Sequence, residues 1–266
     1  MGITSVWQNE LCLALEEIGL EVELQMQDSY TLLLCNKKIL LNLLSLDKHY
    51  QPSALIALQA EYQAKDMLLL QIWEDIWYAR PAQVLGRIRS VLGLNKRLHA
   101  RKAEIMVINQ QQADDFLSLH HLQASARAKY KFALSMEGEI VAVACFSSLR
   151  PMKRIAPTYQ SAELIRFASL TGYTVTGGFR KLLKHFVQLT CPDDVMSYAD
   201  RDWSLGNAYA KAGFVLTETT APAEIWLYKK DFSRYFVHRL PVDVISNAEG
   251  YLRIFNTGNL KYILYL

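Results

Sequence analysis

The stretch VMSYADRDWSLGNAYAKAGF, residues 195–214, gathers side chains suited to chemistry: an acid, Asp200, after a short apolar run, then a polar elbow, then Tyr209 shortly before Gly213. It reads as a strand over 195–198, an elbow over 200–204 and a helix from Leu205 to Gly213. A strand and helix of this kind aim the loop between them, which is where reactive side chains are held. Strand alternation lets one of Ser197 and Tyr198 face such a site, and Ser197 is the candidate. Arg166 sits inside the apolar run AELIRFASL, where a charge is expensive unless paired. By strict alternation Glu163 falls on the opposite face, so Asp200 is the expected partner. The pair is either a structural ion pair or an arrangement that orients an amine and takes its proton. His121, at the end of ADDFLSLHHLQ, is a further candidate base or a core histidine.

The elements that must position these residues can be read from periodicity. The chain has 266 residues and is 51% hydrophobic, enough to bury one large core or two small ones. The first hundred residues suggest a helix over 7–18, strands EVELQMQ, YTLLLC and KKILLNLL, a helix opened by Pro52, a buried strand MLLLQIWEDIW and a helix from Pro81 to Gly93. From Arg101 onward come the strand AEIMVI, the helix ending in His121, a hairpin turning at MEGE, the strand carrying Arg166, and TVTGGFRKLLKHFVQL, where two glycines open a helix. After the stretch at 195–214 follow the strand AEIWLYKKD and two strands around NTGN. The expected division is 1–100 and 101–266.

Composition excludes several classes. The longest apolar window, YTLLLCNKKILLNLLSL, is broken by Asn36, Lys37, Lys38 and Asn42, which argues against a membrane span. There is no secretory signal pattern, and the four cysteines, at 12, 35, 145 and 191, form no CxxC, so neither zinc nor a disulfide framework is expected and a cytoplasmic setting is the simplest reading. No metal is assigned. The net charge is +3, but 76–103 holds Arg80, Arg87, Arg89, Lys96, Arg97, Arg101 and Lys102 with no Asp or Glu. That is either a solvated face or a patch that neutralises phosphates, to which Lys153 and Arg154 add. Trp73, Trp77 and Tyr78 beside it are core residues or stacking partners for a base.

The element order of residues 101–266, with TVTGGFRKLLKHF and GNAYAKAGF, resembles the GNAT (GCN5-related N-acetyltransferase) fold. The resemblance implies that Thr176, Gly177, Gly178, Phe179 and Arg180 hold the pyrophosphate of acetyl-CoA or another acyl-CoA, that Asn207 lines the donor cleft, and that Tyr209 protonates the departing thiolate. The residue types suit this: glycine lets backbone approach an anion, and a helix N-terminus favours negative charge. AELIRFAS, MSYAD and GNAYAKAGF also resemble the phage Mom-like proteins that modify adenine in DNA, which implies a site of Arg166, Asp200 and Tyr209, nominates His121, and implies double-stranded DNA as partner. RDWSLGN departs from their usual run after the Asp. Residues 30–105 resemble a Vsr-type PD-(D/E)xK nuclease module whose acids are replaced by Thr31 and Asn42, so Mg²⁺ would not be held and the module would bind without cutting. The expected fold is an α/β Vsr-like module followed by a GNAT-like α+β domain with a mixed, mainly antiparallel sheet.

Overall fold

The computed structural model describes residues 5–123, 125–240 and 248–266. In chain order its elements begin with α1 (Val6–Glu17), β1 (Val22–Gln27), β2 (Tyr30–Cys35), β3 (Ile39–Leu44), α2 (Pro52–Gln63), β4 (Leu68–Trp73), α3 (Glu74–Ala79) and α4 (Pro81–Val91). Next come β5 (Lys96–His99), β6 (Glu104–Val107), α5 (Gln110–His120), β7 (Tyr130–Met136), β8 (Glu139–Phe146), β9 (Arg150–Pro151), β10 (Gln160–Ser169) and β11 (Tyr173–Thr176). The chain continues with α6 (Gly178–Thr190), β12 (Asp194–Asp200), α7 (Asn207–Ala212), β13 (Val215–Thr219), β14 (Glu224–Tyr228), β15 (Arg234–Phe236), β16 (Tyr251–Phe255) and β17 (Asn259–Tyr265). No described helix is long and apolar enough to cross a membrane.

Two compact units form. The first is Met1–Leu85, Ala199–Leu205 and Thr219–Asn259; the second is Gly86–Tyr198, Gly206–Glu218 and Leu260–Leu266. A cut at residue 100 therefore does not follow the packing. Strands β14–β16 belong with the first unit because Ile225, Leu227 and Ile254 bury themselves against Leu44, Leu55 and Trp73. Its other sheet runs β1-β2-β3-β4, antiparallel until the parallel β3–β4 pair. The run read as one strand, MLLLQIWEDIW, divides at Trp73: acidic Glu74 and Asp75 occupy the first turn of α3, where the helix dipole favours negative charge.

The second unit is built on a sheet ordered β13-β17-β12-β10-β8-β7-β6, with β9 beside β10. The expected order from β6 to α7 is observed, but the strand that follows α7 is β13, which was not expected, while the expected AEIWLYKKD forms β14 in a separate sheet with β15 and β16. Alternation sorts its two faces. Ala133, Val143, Cys145 and Ala168 pack with Phe116 and Leu117 of α5, while Phe146 stacks on Phe186 of α6 at 4.0 Å between centroids. A Asn109–Gln112 capping box opens α5 by satisfying two otherwise unpaired N–H groups. The glycine-led run at 173–190 also contains β11, which pairs in parallel with β5.

Candidate functional site

The second unit opens at β10 and β12. These strands pair in parallel over three residues, Ser161↔Asp194, Ala162↔Val195 and Glu163↔Met196, and the ladder ends there. The side chain of the next residue takes over: Ser197 Oγ donates to Leu164 O at 2.9 Å. Ser197 is buried and Tyr198 exposed, as the alternation requires. Ser197 Oγ also lies 3.0 Å from Tyr209 Oη. Tyr209 is set by an aromatic cluster, its centroid 5.7 Å from Phe179, 5.5 Å from Phe214 and 5.2 Å from Tyr262. Burial raises its hydroxyl above the ordinary tyrosine value, against the lowering effects of Ser197, Arg87 and Arg166.

Phe179 links this hydroxyl to the start of α6. Gly177 caps that helix at φ 78°, a left-handed conformation that favours glycine. Gly178 follows with no room for a side chain, since a Cβ there would meet Val175 Cγ1 at 2.9 Å and Leu134 Cδ1 at 3.2 Å. Exposed Thr176, Gly177 and Arg180 surround the helix start, whose first N–H groups have no intrahelical acceptor. An anion such as a pyrophosphate fits this cradle. Helix α7 starts two residues later than its sequence suggests, because Gly206 adopts φ 73° and cannot be helical. Asn207 is its exposed first residue.

Arg166 requires a correction. Leu164 pairs with Phe146 and Arg166 with Cys145, so Ile165 is an extra residue in β10 and the alternation slips by one. Glu163 and Arg166 therefore share a face rather than opposing one another. Arg166 Nη1 donates to Ile165 O at 2.8 Å, and Glu163 meets Arg150 at 3.4 Å. His121 lies just past α5, its Nδ1 accepting from the Gln123 N–H at 3.0 Å. Its neighbour His120 is held by Thr171 Oγ1 at 2.9 Å, and burial lowers its proton affinity.

The basic residues do not form one face. Lys96 and Arg97 are exposed but alternate across β5, Arg101 and Lys102 lie in the turn after it, and Lys153 and Arg154 are on an exposed loop. Arg87 and Arg89, on α4, are half-buried, as is Arg80 in the first unit. Arg87 was legible only as part of a charge run, yet its charge acts on Tyr209.

The first unit has its own ionic centre. Asp75 is buried and bound bidentately by Arg234, with Nη2 to Oδ1 at 2.7 Å. Asp200 Oδ1 accepts from the Asp202 N–H at 3.1 Å, and Asp202 Oδ1 accepts from Thr257 N at 2.9 Å and Thr257 Oγ1 at 2.7 Å. Burial, and then the charge of Asp200, push the Asp202 carboxyl up to about 7. A folded-state value above the unfolded one means the native state holds the extra proton between roughly pH 4 and 7. Stability from this group is thus greatest below that window and falls as pH rises through it, by on the order of 1 kcal/mol per pH unit. Asp202→Asn keeps an oxygen for Thr257, so its melting temperature relative to wild type is expected to be higher at pH 8 than at pH 5. A difference that does not change with pH counts against the shift. Thr31 and Asn42 are both buried, with Asn42 Nδ2 donating to Gln71 Oε1 at 2.8 Å. Trp73 and Trp77 are core, and Tyr78 stacks on Phe232.

No family model matches the chain, and no curated protein matches it. Solved structures similar to it include the ribosomal-protein-S18-alanine N-acetyltransferase from Escherichia coli, 13% identical over 61% of this chain and 93% of that one, with a TM-score of 0.40. An acetyltransferase from Bacillus subtilis in complex with CoA is 15% identical over 62% and 99%, with a TM-score of 0.38. A GNAT family acetyltransferase from Elizabethkingia anophelis with acetyl-CoA bound is 11% identical over 62% and 99%, with a TM-score of 0.36.

Proposed function

We propose that the second unit is an acyl-CoA-dependent N-acyltransferase. The observation that carries the reading is the parting of β10 and β12 after Glu163↔Met196, beside a part-buried Ser197–Tyr209 hydroxyl pair and the glycine-led start of α6. Thr176, Gly177, Gly178, Phe179 and Arg180 would hold the pyrophosphate and Asn207 would line the donor cleft. The donor supplies an activated acyl thioester. Tyr209 holds a proton for the leaving sulfur, its affinity for it strengthened by burial. Arg166 would orient the acceptor and His121 is the candidate base within the second unit; Asp200, nominated by the Mom-like resemblance to take the amine proton, belongs to the first unit by packing.

Acetyl-CoA is expected to raise the melting temperature by mass action. Arg180→Ala removes an exposed charge without straining the backbone, and is expected to weaken acetyl-CoA binding about tenfold, the worth of one charge-assisted hydrogen bond. No melting shift with saturating acetyl-CoA would sink the reading.

A second reading concerns the acceptor. In it the acceptor is a base amine of double-stranded DNA, of the kind Mom-like proteins modify, contacted by the exposed Lys96, Arg97, Arg101, Lys102, Lys153 and Arg154 of the second unit from more than one face, while the first unit would bind and not cut. Nucleosides from cells expressing the protein or its Asp200→Ala variant, compared by mass spectrometry, test this. A new nucleoside made by the unmutated protein alone supports it, and identical nucleoside profiles point to a protein or small amine.

A further inference from the structure

Ser197 sits where the β10–β12 ladder ends, and its two hydrogen-bond partners define a task for it. Its hydroxyl is buried, 2.9 Å from Leu164 O and 3.0 Å from Tyr209 Oη. A serine hydroxyl has one proton and two lone pairs, so it can donate to one of these partners at a time. While Tyr209 is protonated, the Ser197 proton serves Leu164 O, and Tyr209 can donate into a Ser197 lone pair. A phenolate changes the order of preference, because a hydrogen bond to an ionised acceptor is roughly twice as strong as one between neutral groups. Rotation about Cβ–Oγ is enough to redirect the proton.

We propose that Ser197 is a positioning residue whose hydroxyl turns from Leu164 O to Tyr209 Oη as Tyr209 gives up its proton. The inference rests on the acyltransferase reading. In the step it serves, the Tyr209 O–H bond breaks, an S–H bond forms on the departing thiolate, and the negative charge passes to Tyr209 Oη. The acyl–sulfur bond breaks as the acyl–nitrogen bond forms, and the proton that the base takes from that nitrogen is then passed to Tyr209, returning it to its neutral state. Arg87, Arg166 and Tyr262 are the other titratable groups acting on this hydroxyl, the two cations favouring the phenolate and Tyr262 opposing it, and the Tyr198 carbonyl is a second acceptor for its proton at 3.5 Å.

The test uses the full chain labelled with 3-fluorotyrosine and followed by ¹⁹F NMR, with the Tyr209 resonance assigned by its loss in Tyr209→Phe. In Ser197→Ala the titration midpoint of that resonance is expected to rise by about one pH unit. Ser197→Cys keeps the size and supplies a weaker donor, so it should move the midpoint the same way by less. It also carries the test if the alanine variant does not fold. A midpoint unchanged in the variants overturns the proposal even if their melting temperatures fall, because a purely structural serine would lower stability alone. Calorimetry with acetyl-CoA on the unlabelled protein separates the two failures. A shifted midpoint with acetyl-CoA bound upholds the proposal. A shifted midpoint without acetyl-CoA binding overturns its catalytic part together with the transferase reading.

Discussion

Gly206→Ala is expected to lower stability by about 3 kcal/mol, combining a strained backbone with an overpacked contact. The residue sits at φ 73°, and a Cβ there would run into Cε2 and Cζ of the Tyr262 ring. Tyr262 has little freedom to retreat, being buried and stacked at 5.2 Å on Tyr209, which packs in turn on Phe179 and Phe214. The strain therefore passes into the residues proposed to hold the reacting proton, and acetyl-CoA binding should weaken along with stability. Gly213→Ala is the control. It has φ 97°, but its added Cβ would meet Leu264 Cδ1 at an ordinary 3.6 Å, so it bears the backbone cost alone, about 1 kcal/mol. Thermal denaturation of both variants, and of Gly206→Ala combined with Tyr262→Ala, checks the account. The clash requires the alanine at 206 to cost less once the ring is gone; equal costs in both backgrounds would leave backbone strain as the whole effect.

Tyr262 is also a measure of what the sequence conceals. The elbow at 200–204, the closing Gly213 and the glycines before α6 are local signals, and they marked the right segments. The requirement for glycine at 206 comes from a ring 56 residues further along, which no local pattern reports. Arg166 was recognisable as a charge in an apolar strand, but the extra residue Ile165 reverses its face, and a bulge has no reliable signature in alternation. The end of the β10–β12 ladder is likewise a property of two strands together. In the first unit, the apolar residues of MLLLQIWEDIW read as one strand with Glu74 and Asp75 as a solvated or salt-bridged end, whereas the two acids open α3. The pairing of β14 with β15 and β16, and their burial against Leu44 and Trp73, depend on contacts too distant in sequence for periodicity to show.

Asp75→Asn is expected to cost about 3 kcal/mol, because it leaves a charge in place and removes its buried partner. The Asp75 side chain is 1% exposed and that of Arg234 is 23% exposed, so the loss belongs at the lower end of the range for a broken buried pair. Arg234→Met strands the carboxylate instead, and the doubly substituted chain should lose less than the sum of the two, the excess being their coupling. A surface pair gives the contrast: Arg150 and Glu163 meet at 3.4 Å with Arg150 57% exposed, and Arg150→Ala should change stability little. The same cation also restrains Asp202. Arg234 lowers the proton affinity that burial and Asp200 raise, so Arg234→Met should carry the Asp202 window to higher pH. In that variant, stability should go on falling with pH beyond the point where wild type levels off, and adding Asp202→Asn should abolish the extra slope. Melting temperatures of the three chains from pH 5 to 9 test the link; parallel curves would show that Arg234 and Asp202 do not sense each other.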